Sequence, residues 1–265
     1  MLLTLRAKMS EQRRRFAWVA VVFAASLMPL AAGAQASAAD DDALAAAIIE
    51  KADRVRFPAE GFEVTVTITT TTPGGPQDPR KYRVLSKGNE NTVVMTVEPA
   101  SERGQIMLMK GHDLWMFLPS VSQPVRLPAS QRLTGNVANG DLARANFAGD
   151  YKPALLRTEK VDGETMHVLE LVAVDRSVTY HRVLYWVRQS NNSPYKAEFY
   201  SLSERLLKTC LYQNFEKAAG RVRPMRLTMQ DALRKGEESV LEYADMKLRD
   251  LPDKIFTKDY LKRLE

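Results

Sequence analysis

The feature that most constrains the fold of this chain is an alternation of apolar and polar residues that recurs over most of its length. In its first clear occurrence, glutamate or threonine separates the apolar residues Phe62, Val64, Val66 and Ile68. A period of two is typical of a β-strand with one buried face. Similar segments follow at the spacing of about 8 to 12 residues that antiparallel β-proteins show, with glycine, proline or asparagine turns between them. The pattern therefore predicts one long antiparallel sheet.

About a dozen strands are predicted, and sheets of that size tend to curl or to close. After the first strand they cover residues 80–87, 93–97, 105–110, 114–118, 154–160, 165–174, 181–188, 195–202, 206–215, 222–230 and 240–248. Helices are predicted at 40–54, where three aspartates offer an N-cap, at 141–147 and at 253–261. The fold class is therefore mainly β, with helices available to cover the inner face of the sheet.

The N-terminal segment has the three parts of a secretory signal peptide. Arg13, Arg14 and Arg15 precede an apolar run, and small residues with an A-x-A pattern follow it. We expect cleavage after Ala36 or Ala38, so residues 1–36 form the leader and residues 37–265 form a single mature domain. An uncleaved membrane anchor is the alternative, and both the general secretory and the twin-arginine route remain open. Because no cysteine lies at the cleavage site, the expected product is a periplasmic protein without a lipid anchor.

The basic charge of the chain lies mostly in this leader. The whole sequence carries a formal charge of +6, with 38 lysines and arginines against 32 acidic residues. Residues 1–36 hold five basic residues and one acidic residue, which account for +4 of that charge. The remaining +2 is too small for the basic surface that nucleic-acid binding requires, so we expect no nucleic-acid partner.

The sequence lacks the common catalytic and cofactor-binding motifs, including G-x-S-x-G, H-E-x-x-H, the Walker loop and the dinucleotide glycine motif. Its three histidines, His112, His167 and His181, lie in a predicted turn or on predicted strands and are not spaced as metal ligands. The single cysteine, Cys210, lies in mid-strand, where a buried inert thiol is expected. We therefore predict no enzymatic activity, no metal and no cofactor. An enzyme whose catalytic pair forms only in the fold remains a third hypothesis.

Flexible and aromatic apolar side chains are abundant on the predicted strands. Eight of the eleven methionines follow the leader. Methionine adapts to apolar ligands of variable shape, and tryptophan, tyrosine and phenylalanine accompany it on the same strands. Each such residue taken alone is more often part of a packed core. Taken together, they fit the inner face of a curled sheet, which side chains alone fill poorly.

Several runs of aromatic, proline and turn residues resemble the outer-membrane lipoprotein-sorting protein family, the LolA-like proteins. They are residues 112–119 (HDLWMFLP), 124–127 (PVRL), 139–144 (NGDLAR), 184–187 (LYWV), 193–197 (SPYKA), 223–225 (RPM) and 255–261 (IFTKDYL). The likeness extends from about residue 57 to the end of the chain. It implies an incomplete, half-open antiparallel β-barrel with helices over its open side. The cavity of such a barrel would bind the acyl chains of lipoproteins or other lipids.

Within that barrel, the expected cavity lining consists of apolar strand residues that point inward. These residues are Val66, Met95, Met107, Met109, Trp115, Phe117, Tyr185, Phe199, Met225 and Met229. The alternation assigns the inward face for residues 62–68, 93–97 and 225–229. For residues 105–118 either face remains open, because a slip of one residue exchanges the two faces.

A long insertion at residues 119–151 interrupts the strand rhythm, and long loops in compact domains are often functional. We expect its part from residue 129 to 148 to act as a lid over the cavity. The side chains expected to close it are Leu133, Leu142 and Phe147. Arg126 and Arg132, near the start of this segment, would meet an anionic headgroup, with plain solvent exposure as the alternative for both.

The sequence thus predicts a periplasmic carrier that binds acyl chains and moves them towards the outer membrane. The partners that the resemblance implies are an inner-membrane exporter of the resistance-nodulation-division (RND) type and an outer-membrane acceptor. The alternative is a non-transporting periplasmic sensor or interaction module on the same fold, which regulates envelope stress or an exporter.

Overall fold

One antiparallel sheet of fourteen strands dominates the computed structural model, which describes residues 32–88, 90–144 and 146–261. The strands of the chain are β1 (Phe62–Thr72), β2 (Gly75–Pro76), β3 (Arg80–Lys87), β4 (Asn91–Glu98), β5 (Ile106–Lys110), β6 (Asp113–Phe117), β7 (Val125–Leu127), β8 (Arg132–Thr134), β9 (Val137–Ala138), β10 (Tyr151–Val161), β11 (Glu164–Ala173), β12 (Arg182–Arg188), β13 (Pro194–Tyr200), β14 (Leu206–Ala218), β15 (Arg221–Asp231) and β16 (Glu238–Leu248). The helices are α1 (Ala32–Arg56), α2 (Asn139–Ala143), α3 (Phe147–Asp150) and α4 (Lys258–Leu261), with 3₁₀ turns at Ala100–Glu102 and Asp253–Phe256.

Two meanders that are remote in sequence meet in this sheet. The order across it is β10-β11-β12-β13-β14-β15-β16-β1-β3-β4-β5-β6-β7, with β2 beside β1 and with β8 and β9 as a separate pair. The join between β16 and β1 places Val66 between Tyr243 on one side and Tyr82 on the other. Strands β10 and β7 end the series and do not pair with each other in the part of the chain that is described. The sheet is therefore open, which confirms the predicted mainly β, half-barrel fold class.

Helix α1 lies against the inner face of the sheet. Its buried stripe consists of Ala45, Ile48, Ile49 and Ala52. The helix begins eight residues before the predicted start, so the expected N-cap at the three aspartates is wrong. The alanine-rich sequence before them has high helix propensity, and the helix continues through it. Residues 1–31, which contain most of the predicted leader, lie outside the described residues.

The C-terminal residues cover part of the opposite, outer face. Leu251, Phe256 and Leu261 pack there against a second apolar cluster that includes Val93 and Leu108. The predicted helix over 253–261 is divided into a 3₁₀ turn and α4. This cover explains why β5 is apolar on both faces, as a strand buried on both sides should be. No helix among the described residues is long and apolar enough to cross a membrane.

The long insertion folds back over the open side of the sheet. We call residues 129–150 the covering segment; it contains β8, β9, α2 and α3. Gly140 lets it approach the loop before β12, because a Cβ atom at this position would lie 2.0 Å from Thr179 Oγ1. The segment adds no strand to the main sheet, so it is attached through side chains and single backbone contacts.

Candidate ligand-binding interior

The inner face of the sheet divides into two parts of different chemistry. On strands β1 and β3–β6 most of its buried side chains are aliphatic or methionine, among them Val64, Val66, Val84, Val94, Met107, Met109 and Leu114. Phe62 and Tyr82 are also buried there, and the hydroxyls of Ser86 and Thr92 bond to each other at 2.9 Å. Alternation along each strand directs these side chains to one side, and antiparallel pairing aligns them across the sheet. An alkyl chain placed against this part would leave no polar group unpaired.

The second part, on strands β12 to β16, is rich in aromatic residues. It is formed by Tyr185, Phe199, Tyr212 and Tyr243. The ring of Phe147 lies 5.4 Å from the ring of Tyr185 and 80° from its plane, an edge-to-face geometry that aromatic pairs favour. Burial raises the pKa of Tyr185, Tyr212 and Tyr243 above the usual tyrosine range. These hydroxyls therefore stay uncharged.

Side chains of α1 and of the covering segment fill nearly all of this interior. The cavity between Arg56, Phe147 and Tyr243 has a volume of about 30 Å³, and the neighbouring cavity beside Leu142 has about 20 Å³. Pockets that hold drug-sized ligands measure ~300–1,000 Å³. The structure is therefore closed, and a ligand the size of an acyl chain would fit inside only if the covering segment or α1 moved.

Two charged residues of α1 lie inside this largely apolar interior. Asp53 is 4% exposed and Arg56 is 7% exposed. Arg56 Nη1 donates to Asp53 Oδ1 over 3.1 Å, and the guanidinium carbon lies 4.0 Å from the ring centre of Phe147. The other carboxylate oxygen accepts the Ala148 N–H at 2.8 Å. Burial raises the pKa of Asp53 to about 6, although the charge of Arg56 opposes the shift. The pair thus joins α1 to α3.

A second polar cluster holds the start of the covering segment. The Asp141 carboxylate accepts the Ala138 N–H at 2.7 Å and the Tyr180 hydroxyl at 2.9 Å, and it pairs with Lys208 of β14. Lys208 also donates to the Asn136 carbonyl over 2.8 Å. Because Asp141 and Lys208 have side chains only 6% and 5% exposed, separation of the pair would leave a buried charge without a partner.

A third cluster holds the end of the segment to the β5–β6 turn. Arg144 binds the Asp150 carboxylate through two bonds, of 2.6 and 2.5 Å, and donates to the Gly111 carbonyl over 2.8 Å. His112 Nε2 lies 2.9 Å from the same carboxylate. His112 is thus engaged by a structural ion pair, which accounts for its polar turn position without a catalytic role.

The structure places seven of the proposed cavity residues on the inner face. Buried there are Val66, Met107, Met109, Tyr185, Phe199 and Met229, and Met225 is half-buried against them. It also decides the face that the sequence left open. On β5 the two methionines point inward, while Ile106 and Leu108 join the outer cluster.

Met95, Trp115 and Phe117 do not lie in the interior. They pack on the outer face against the C-terminal cover, and Lys258 Nζ lies 4.1 Å from the ring centre of Trp115. The register is set by β3, where Val84 pairs with Val94 on the inner side and Leu85 pairs with Val93 on the outer side. The predicted inward face of 93–97 is thereby reversed. An apolar strand covered on both sides gives no alternation from which to choose the face.

The proposed lid residues are found against the interior. Of the proposed headgroup residues, Arg126 lies on the surface, and Arg132 lines a cavity of about 150 Å³ between the covering segment and strand β14. Leu142 and Phe147 are each 8% exposed, and Leu133 is half-buried against the same core. Arg126 is exposed and pairs with Asp113. Arg132 lies 3.6 Å from Asp231 and 3.3 Å from Glu237. Acidic neighbours weaken the attraction of both arginines for an anion.

Sequence reasoning missed the charged pair on α1 and two of the tyrosines. A signal was present: the buried stripe of α1 continues by four residues from Ile49 to Asp53 and from Ala52 to Arg56. Charges that continue an apolar helical stripe indicate a buried pair. Tyr212 and Tyr243 follow the strand alternation, but no sequence pattern shows that β14 and β16 bring them to the cavity beside Arg56.

Comparisons with known proteins agree with this geometry. A family model described as an uncharacterized protein matches residues 88–263. No curated protein matches the chain. A LolA superfamily protein from Nitrosomonas europaea is 65% identical, with a TM-score of 0.79, and the match covers 82% of this chain and 98% of that one.

Two further crystal structures share the fold at lower identity. An outer membrane lipoprotein-sorting protein domain from Vibrio parahaemolyticus is 20% identical, with a TM-score of 0.73, over 84% of this chain and all of that one. A DUF1329 family protein from Desulfovibrio piger is also 20% identical, with a TM-score of 0.72, over 83% and 99%. At this identity the two show the fold alone. The open half-barrel and the 65% identity over most of both chains together show that this chain belongs to the LolA superfamily.

Proposed function

We propose that this protein is a periplasmic carrier that holds the acyl chains of lipoproteins or other lipids against the inner face of its half-barrel. The observation that carries the proposal is the apolar inner face itself, open at one side and closed there by a covering segment that is not part of the sheet. An apolar surface of this kind must be covered, and in the proposed carrier a ligand takes the place of the covering segment.

A carrier must bind its cargo and also release it. The apolar contacts that the ligand gains should therefore nearly balance those that the protein loses when its cover opens. An acyl chain in water costs roughly 25 cal/mol for each Å² of exposed apolar surface. In the closed form, Leu142 and Phe147 occupy the space that the ligand would take. Displacement of these side chains opposes binding, and burial of the ligand favours it. The net affinity is then moderate, so the cargo can be released to an acceptor.

The remaining parts of the proposal concern route and partners. The basic and apolar leader supports export to the periplasm. The name of the Vibrio domain supports a lipoprotein as cargo, on a fold that this chain shares. An RND-type exporter in the inner membrane would deliver the cargo, and an outer-membrane acceptor would receive it.

Native mass spectrometry of protein purified from the periplasm tests the carrier. The expected result is an added mass that corresponds to a lipid or an acylated peptide, lost when Phe147→Glu places a charge in the interior. The control is Leu156→Glu, because Leu156 on β10 is 46% exposed. It should keep the added mass. An empty wild-type protein, or a ligand that persists in Phe147→Glu, would refute the proposal.

One observation favours the alternative of a non-transporting sensor or interaction module. The interior is closed, and its cavities of about 30, 20 and 150 Å³ are all smaller than a pocket for a drug-sized ligand. A module that never opens would bind a protein partner through its outside. Tight binding of an envelope protein by a ligand-free chain, unchanged in Phe147→Glu, would support that function.

A further inference from the structure

Four buried polar side-chain atoms have no hydrogen-bond partner among the described residues, and two of them belong to side chains that contact Phe147. These two are the Nε atom of Arg56 and the hydroxyl of Tyr185. Tyr185 is fully buried, and the Arg56 side chain is 8% exposed. Both can donate a proton, and a buried donor without an acceptor costs free energy. Groups of this kind are unusual in native structures and call for an explanation.

The two donors border the same aromatic ring. The Arg56 guanidinium carbon lies 4.0 Å from the ring centre of Phe147, and the Tyr185 ring lies 5.4 Å from it. Phe147 belongs to the covering segment, which must move for a ligand to enter. When its ring leaves, the space beside the Arg56 guanidinium and the Tyr185 ring is vacated.

A comparison with the buried Arg223 shows that a buried guanidinium in this protein can make several hydrogen bonds. Arg223, 2% exposed, donates to the carbonyls of Arg54, Val55 and Ala218 over 2.7 to 3.2 Å. The described contacts of Arg56 with other side chains include a single hydrogen bond, to Asp53. Its other contacts are cation–π contacts with the rings of Phe57, Phe147 and Tyr212. A hydrogen-bond acceptor could take the place of one of these rings.

We propose that Arg56 and Tyr185 bind the acyl carbonyl of the ligand, the ester or amide oxygen from which the alkyl chain extends. The inference rests on the proposed carrier function and adds a polar site to its cavity. The alkyl chain would lie against the aliphatic part of the inner face, on strands β1 and β3–β6. The carbonyl oxygen would accept from Arg56 Nε and the Tyr185 hydroxyl.

An uncharged acceptor fits this site better than an anion. Asp53 already balances the charge of Arg56 through the 3.1 Å ion pair. A carboxylate or phosphate would bring a second negative charge into an apolar interior beside Asp53, which is costly to bury. A carbonyl oxygen adds no net charge and has two lone pairs, one for each donor. Phospholipids and acylated peptides both carry this group.

The test compares two lipids that differ only in their carbonyl groups. Dipalmitoyl phosphatidylcholine and its dihexadecyl ether analogue are titrated against the full mature protein, and displacement of an anilinonaphthalene sulfonate dye is measured. We expect the wild type to bind the ester about tenfold more tightly than the ether, the effect of one or two net hydrogen bonds. A dipalmitoylated peptide serves as a third ligand. If it binds more tightly than the phospholipid, the carbonyl comes from a lipoprotein, and the reverse order identifies a membrane lipid.

Three variants assign the effect to the site. Arg56→Met and Tyr185→Phe should each bring the ester-to-ether ratio close to one. Tyr185→Phe should change the melting temperature of the ligand-free protein little, because the hydroxyl makes no well-formed hydrogen bond to the described residues. Arg223→Met is the control, and it should lower the melting temperature while it keeps the wild-type ratio.

The outcomes separate this site from the function on which it rests. Equal binding of ester and ether by the wild type, or an unchanged ratio in Tyr185→Phe, would overturn the carbonyl site and leave the carrier in place. A wild type that binds none of the three ligands would overturn both.

Discussion

Phe147 is the side chain that closes the interior, and its removal gives a quantitative test of the closed form. The ring is 8% exposed and makes edge-to-face contacts with Tyr151 and Tyr185 at 5.5 and 5.4 Å. It also lies over the Arg56 guanidinium at 4.0 Å. Truncation of a buried phenylalanine to alanine costs about 3–5 kcal/mol. A desolvated cation–π contact is worth about 2 kcal/mol of such a loss. We therefore expect Phe147→Ala to lower the free energy of unfolding by about 4 kcal/mol.

Urea denaturation followed by circular dichroism measures this loss. The matched control is Leu156→Ala, which removes an exposed side chain and should change the free energy by no more than about 0.5 kcal/mol. Hydrogen exchange at the Ala148 amide provides a local readout. This N–H is bound to Asp53 at 2.8 Å and should exchange faster in Phe147→Ala than in the control.

A loss below about 1 kcal/mol in Phe147→Ala would refute the reasoning, since such a value belongs to an exposed side chain. The covering segment would then be open in solution, and the closed interior would not be its resting form. An Ala148 amide that exchanges equally fast in wild type and variant would lead to the same conclusion.

Three further predictions concern other groups of the interior and its cover. Burial raises the pKa of Asp53 from 3.8 to about 6, so ionisation of this carboxyl opposes folding. The free energy of unfolding should therefore fall as the pH rises from about 4 to 6. Asp53→Asn should abolish this pH dependence, which denaturation curves at several pH values measure. Gly140→Ala places a Cβ atom 2.0 Å from Thr179 Oγ1 and should cost about 1–3 kcal/mol, whereas Gly74→Ala, with its nearest atom at 3.7 Å, should cost less than about 1 kcal/mol; equal melting temperatures for the two would contradict the close approach. Burial raises the pKa of the Cys210 thiol to about 12, so it should resist a thiol reagent until the protein unfolds, and rapid labelling of the folded protein would show the strand to be open.

The strands were predictable because their signal is local. Alternation placed β1 to within a few residues, and every predicted strand after residue 150 overlaps an observed one. Alternation also assigned Val66 and Met229 to the inner face. It was wrong at Met95 and left the face of Trp115 and Phe117 open, although both were expected in the cavity. The reason is that β4–β6 are covered on both sides, so an apolar residue there fits either face equally.

The polar part of the site depends on contacts between remote segments. Asp53 and Ala148 are 95 residues apart in sequence, and Arg56 meets Tyr212 and Tyr243 only because β16 joins β1 across the middle of the sheet. No local pattern encodes such proximity. The one available sign was that the buried stripe of α1 continues into the charged residues Asp53 and Arg56. This sign predicts that the pair is buried, but it does not predict which residues surround it.

The sequence by itself determined the class of this protein: a chain of alternating strands, with a lipoprotein-sorting resemblance and no catalytic motif. Those properties depend on the order of residues that lie close together in the chain, and this order can be read directly from the sequence. Only the tertiary structure decided which face of β4–β6 points inward, that the interior is closed, and that Arg56 and Tyr185 lie in it with unpaired donors. These features depend on how an open sheet curves around one helix and one covering segment. That arrangement is set by the packing of the whole chain, because burial is a property of all the atoms around a group and of no single segment.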